Sequence, residues 1–339
     1  MPDPSINHQS VWQRWLFEGT QPTPWRFAAV GMTALTVPPV IVVATFGPDA
    51  VNSLGMAAFL AAMPAYFAAL YAGPAVSALF TVVTGMAGLL SLGDTSMALV
   101  VGPTLAIMAA ICGSYGLARP ALQALLAWTI FTSPFLQSND PTLTFGIYLA
   151  AMTWSLGIAK LFGHSCAMGA EKPQSRGYTT VFGILLAIGM VISIGVGNRY
   201  FGDHGYWFPF TFVIVSLPPH AQLLDRSLKR VVGTLAGAMV TIVLSKLIEP
   251  VALHGAVAVI SQLLAVRLMP VSYVGATTLL TIGILETIAI STAVEIDVVA
   301  FERLGTAAAA ALLAGILVAV GVLIFRLVAP TALRSLRKS

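Results

Sequence analysis

The sequence predicts an all-α, polytopic membrane protein of about twelve transmembrane helices, built as two parallel six-helix repeats. Three observations lead there. Hydrophobic residues make up 58% of the 339-residue chain and charged residues only 9%, against roughly 25% charge in a soluble domain. Apolar stretches long enough to cross a bilayer, which takes about 20 residues each, follow one another in two sets of six. One polar segment separates the sets.

In order, the spans read as 26–46, 54–71, 74–92, 97–116, 120–137 and 141–163, then 177–196, 205–219, 228–248, 251–268, 270–290 and 300–328. This divides the chain into a cytoplasmic segment 1–25, a first repeat 26–163, a linker 164–176, a second repeat 177–328 and a basic cytoplasmic tail 329–339. Residues 1–24 are polar and carry Pro2, Pro4, Pro22 and Pro24, which is no signal peptide. Val11/Trp15 and Trp12/Leu16 stand at helical spacing, so 11–17 is expected to lie as a short helix on the inner leaflet. The linker carries Glu171, Lys172, Pro173 and Arg176 and is too short to be a domain.

Charge supports this map. With the N-terminus inside, Arg199, Lys246 and Arg303 are the only outer residues among the 17 lysines and arginines, while Asp49, Asp94, Asp140, Asp203, Glu249, Glu295, Asp297 and Glu302 all fall outside. That is the positive-inside pattern, with both termini cytoplasmic. The formal charge of +4 therefore reports topology and not a nucleic-acid surface. The halves also echo one another: Val82–Gly88 aligns with Val231–Gly237 at an offset of 149, and the same offset sets Gln137 on Glu286. An even number of spans per half makes the repeats parallel.

Enzymatic readings find no support. There is no P-loop and no Ser-His-Asp set, and the histidines at 8, 164, 204, 220 and 254 fall in loops or at helix ends with no metal-binding spacing. Cys112 and Cys166 suggest neither a disulfide framework nor a metal site. No cofactor or metal is expected.

Glu286 is the leading candidate for a working residue. A carboxylate inside a span is costly unless paired, protonated or facing water, so Glu286 is expected either to carry protons or to sit hydrated at the outer interface. Tyr273, Thr277 and Thr281 precede it on the same helix and are expected to line a polar path. The second span holds Tyr66 and is expected to break at Pro64, while the eighth is short and holds Pro209. Irregular spans at matching positions of two repeats point to a binding site. Trp207, Phe208, Phe210 and Phe212 could then stack on a planar ligand, or sit as an aromatic belt at the outer interface. Gln137 and Arg303 join this pathway, Arg303 because it lies outside against the charge rule. Arg226, Lys229 and Arg230 are expected to form a cytoplasmic basic mouth that gathers anions or contacts lipid headgroups. Gly233, Thr234 and Gly237 read as a helix-packing motif.

Trp207, Leu217-Pro218-Pro219, Arg230-x-x-Gly-Thr-x-x-Gly237 and Glu302-Arg303-Leu304-Gly305-Thr306 together resemble the fusaric-acid-resistance and aromatic acid exporter superfamily over residues 177–328. Residues 26–163 share only its six-span layout. The resemblance implies an inner-membrane permease that exports small organic, chiefly aromatic carboxylate, anions, with a periplasmic adaptor of the membrane-fusion type. The chain departs from the pattern twice. It is expected to be a short form without the large cytoplasmic domain, and Ser77-Ala78-Leu79-Phe80-Thr81 replaces the basic run in the first half. A gated organic-anion channel and a non-transporting subunit of an efflux assembly stay open beside the exporter, as does the oligomeric state.

Overall fold

The computed structural model describes residues 15–17, 21–47, 50–136, 140–218, 222–248, 250–291 and 296–328, and among these it has no strand. They form eleven α-helices: α1 Trp25–Phe46, α2 Met56–Ser91, α3 Thr95–Gly113, α4 Ala118–Ile130, α5 Pro141–Leu161, α6 Arg176–Tyr200, α7 Trp207–Val215, α8 Leu223–Leu247, α9 Val251–Leu268, α10 Tyr273–Ser291 and α11 Ile296–Val328. Eight of them, not twelve, are long and apolar enough to cross a membrane, with α2 counted once. Side chains such as Leu79 and Leu312 are more than 60% exposed along these helices. An apolar surface of that extent suits lipid rather than water.

Four expected spans are altered, two of which, 54–71 and 74–92, are joined in α2. α2 bends at Gly73, whose φ of 77° and ψ of 173° suit only glycine. Across this bend Ser77 Oγ donates to Ala65 O at 2.5 Å. Twelve residues along one straight helix would lie about 18 Å apart, so the parts fold back on each other as a hairpin. Pro64 does not break the helix, because Gly73 is the non-helical residue within α2. The remaining two are short. α4 has 13 residues and α7 has 9, about 20 and 14 Å against a hydrocarbon core of about 30 Å. The expected run at 120–137 ends in the turn Phe131–Ser133, and that at 205–219 in Ser216–Pro218.

Helix starts follow local chemistry. Asp94 accepts from the Ser96 and Met97 amides and opens α3. Asp140 does the same for Thr142 and Leu143 of α5, with Pro141 in the first turn where no amide is needed. Ser175 caps α6 through the Tyr178 amide.

The chain packs as two compact units, one of Met1–Ala29 with Lys229–Ala300 and one of Val30–Leu228 with Phe301–Ser339. Their boundaries fall within α1, between Leu228 and Lys229 of α8, and within α11. In the larger unit α2 packs on α4 and α5, α3 on α4 and α6, and α7 on α4 and α6. Small residues of α2 receive large rings. A Cβ on Gly85 would lie 2.6 Å from the Tyr148 ring, and one on Gly88 2.5 Å from Phe131. Trp128 and Tyr148 are buried there, their polar atoms donating to Ser91 Oγ at 3.2 Å and Thr81 O at 2.9 Å.

The 164–176 segment is tied down by backbone bonds. The Cys166 and Met168 amides donate to Ala69 and Leu70 carbonyls, and the Gln174 amide to Gly113 O. In the smaller unit α9 and α10 form a tight hairpin, with Gly283 against Gln262 and the Ala258 carbonyl. Of the expected helix at 11–17 only 15–17 are among the described residues. Trp15 and Leu16 are helical there, and the Lys229 ammonium lies 5.8 Å from the Trp15 ring. The 329–339 tail lies outside the described residues.

Candidate functional site

In the larger unit, several candidate residues gather around the start of α7. A 3-10 turn, Gly202–His204, leads into this short helix. Gly197 of α6 and Gly205 admit the turn, since a Cβ on Gly197 would lie 2.4 Å from the Gly205 carbonyl oxygen. α11 supplies Glu302 and Arg303. Glu302 Oε2 is 2.6 Å from His204 Nδ1, and the His204 ring stacks on Trp207 at 4.5 Å. The Arg303 guanidinium lies 5.1 Å from the Trp207 ring and 5.8 Å from the Phe210 ring. Its Nη1 donates to Thr211 Oγ1 at 3.3 Å. At 1% exposure, Arg303 is among the largest fully buried side chains. Aromatic faces partly replace its lost hydration, each contact worth about 2 kcal/mol when water is excluded.

The result is a cluster of Glu302, His204, Trp207, Arg303 and Phe210, in which a buried cation lies within reach of two aromatic rings and a carboxylate–imidazole pair adjoins Trp207. Guanidinium groups meet carboxylates, and aromatic faces stack on planar groups. A polar cavity of about 170 Å³, lined in part by Asp94, Thr95, Ser133 and Asn198, reaches Gly202 at the start of the His204 turn. Tyr206 and Trp207 are 6% and 3% exposed. They are buried in protein rather than forming a lipid-facing belt.

The other end of α7 is held by two arginines. Arg226 Nη1 donates to the Leu217 carbonyl at 2.5 Å, and Arg119 Nη2 to the Pro218 carbonyl at 3.0 Å. Cations at a helix C-terminus meet its partial negative charge. Arg119 also pairs with Glu171 at 3.1 Å and bonds Tyr71 OH at 2.8 Å. In the sequence Arg119 reads only as a topological charge. Its partners lie 48, 52 and 99 residues away, beyond any local signal.

In the smaller unit, Glu286 of α10 is 0% exposed and bonds through Oε2 to His254 Nδ1 of α9. His254 Nε2 lies 3.0 Å from the Ile248 carbonyl oxygen. Glu286 Oε1 is buried without a partner among the described residues. His254 lies in the first turn of α9, one of the helix ends where the sequence places the histidines. The expected polar path along α10 does not include Glu286. Thr281 and Glu286 are five residues apart, about 140° around the helix. Thr277 and Thr281 instead pack on α8, where a Cβ on Gly233 would lie 2.7 Å from Thr277 Cβ and one on Gly237 2.6 Å from the Thr278 carbonyl. Gly233 and Gly237 thus let the two helices touch. Thr234 is buried beside them, as is the Tyr273 hydroxyl.

The remaining candidates are dispersed. Phe212 fills the space over Gly189 of α6, and Phe208 meets Phe201 edge-on at 6.2 Å, so both act in packing. Tyr66 is apart from the α7 cluster, its hydroxyl 2.6 Å from His164 Nδ1. Gln137 lies outside the described residues. Lys229 and Arg230 are buried, and Arg226 is engaged with α7, so the three do not form an open basic mouth. Among the described residues no cluster of three His, Cys, Asp or Glu side chains could hold a metal ion.

Residues 192–322 match the family described as fusaric acid resistance protein-like, which supports the assignment read from the sequence. The matched stretch contains Trp207, Arg230–Gly237, His254, Glu286 and Arg303. Neither a curated protein nor a solved structure matches the chain. The eight apolar helices mark a multi-pass membrane protein, and its second half is similar to the fusaric acid resistance protein-like family.

Proposed function

We propose that this protein is an inner-membrane exporter of small organic anions, chiefly aromatic carboxylates, coupled to proton entry through Glu286. The observation that carries the reading is the buried Arg303 guanidinium within cation–π reach of Trp207 and Phe210. In this reading both termini are cytoplasmic, the chain divides into two halves at 26–163 and 177–328 whose shorter helices do not cross the bilayer, and a periplasmic adaptor receives the anion. Energetically the direction is sound. An anion leaving an inside-negative cell gains about 2.3 kcal/mol per charge per 100 mV, and exchange for an entering proton adds to this.

The test is efflux of radiolabelled hydroxybenzoate from proteoliposomes, with uncharged benzyl alcohol as competitor. The exporter reading expects saturable efflux that hydroxybenzoate inhibits and benzyl alcohol does not. Equal inhibition by both would remove the carboxylate from recognition. The second reading, a gated anion channel, rests on the same buried cation and needs no proton site.

A further inference from the structure

We propose that His254 and Glu286 form a one-proton switch that fastens the turn between α8 and α9. The inference deepens the proton-coupling part of the proposed function and rests on that reading for its role in transport. It begins with hydrogen-bond accounting. A carbonyl oxygen only accepts, so the Ile248 carbonyl, 3.0 Å from His254 Nε2, requires hydrogen on Nε2. The contact between Nδ1 and Glu286 Oε2 then requires one further proton, on either the carboxyl or the imidazole. Both bonds exist together only while the pair holds that proton.

When the proton leaves, the neutral ring keeps one N–H. Placed on Nε2, it leaves two lone pairs, of Nδ1 and the carboxylate, facing each other. Placed on Nδ1, it leaves Nε2 facing the Ile248 carbonyl. The bond to an ionised carboxylate is about twice as strong as a neutral one, so Nδ1 keeps the hydrogen and the Ile248 contact is released. Ile248 directly follows α8, and His254 lies in the first turn of α9, so that contact is a clip across the turn. Protonation closes it and deprotonation opens it.

Other ionisable groups of the surrounding elements do not supply this link. Lys246 is exposed at the end of α8, and Arg267, at the opposite end of α9 from His254, bonds the Thr23 carbonyl and covers Trp25. Lys229 and Arg230 precede Gly233 on α8. Asp297 opens α11, and Glu249 and Glu295 lie outside the described residues. Charge asymmetry of the sequence assigns this end of the hairpin to the outer face, where entering protons arrive.

Hydrogen exchange of the full chain in lipid nanodiscs tests the switch, with rates corrected for the intrinsic pH dependence of amides. The Ile248, Leu253 and His254 amides are expected to be more protected at pH 5 than at pH 9, by about threefold to tenfold, the size of one hydrogen bond. Glu286→Gln and His254→Gln should each flatten that slope. A flat wild-type profile overturns the switch, and so does a wild-type slope retained by either variant. No substrate is needed, so the two ideas fail separately. An intact slope with no hydroxybenzoate flux would sink the export reading and keep the switch. Gradient-driven flux with no slope would do the reverse.

Discussion

Replacing Arg303 with methionine is the most telling perturbation of the α7 site. Methionine keeps most of the length and the apolar character but removes the cation. Two cation–π contacts, at 5.1 and 5.8 Å, and the bond to Thr211 are lost. For folding the balance is small, because a buried charge also carries a desolvation cost. For an anion the balance is large. A charge-assisted bidentate contact contributes about 1.5–3 kcal/mol, which is roughly tenfold to a hundredfold in affinity. Hydroxybenzoate efflux by the variant should therefore show KM raised by at least about tenfold, with thermal stability in detergent shifted by only a few degrees. Arg303→Lys should recover only part of the loss, since an ammonium lacks the planar fork that meets a carboxylate and stacks on Trp207. Wild-type KM in a well-folded Arg303→Met protein would refute the assignment of Arg303 to the anion.

Further outcomes follow from other contacts. Glu286→Gln keeps the shape of the side chain but cannot exchange a proton, so efflux should lose its stimulation by a pH gradient while voltage-driven efflux and expression persist. Gly237→Leu drives a side chain into the Thr278 carbonyl and Thr281 and should cost at least about 1–3 kcal/mol, read as a lowered melting temperature. Gly73→Ala should cost about 1–3 kcal/mol, because φ of 77° with ψ of 173° is closed to a residue with a Cβ. The same melt measures it.

Much of this architecture is written locally in the chain. The apolar run from Trp25 sets α1, and the spacing of Gly233 and Gly237 announces a close helix contact that the structure places against α10. Glu286 stands out because a lone carboxylate in an apolar run demands an explanation. Long-range partnership is what local sequence does not carry. His254 reads only as a helix-end residue, because its carboxylate partner is 32 residues away, and Trp207 meets Arg303 only across the 96 residues that separate them in the chain. Hydropathy also overruns two short helices, since Phe131 and Leu217 extend an apolar window although the backbone has already turned. The separation of Thr281 from Glu286 is different in kind. It follows from the residues-per-turn of an α-helix alone, so the sequence already holds it. Pro64 misleads for another reason. In a membrane protein, neighbouring groups satisfy the carbonyl that proline frees, and the real break falls at Gly73.

Flux of radiolabelled hydroxybenzoate at zero membrane voltage, with and without an imposed pH gradient, tests the central claim most directly. The account predicts that a gradient supplying protons from the outer face accelerates efflux from wild-type proteoliposomes and leaves Glu286→Gln unaffected. Flux at zero voltage that ignores the gradient would contradict proton coupling.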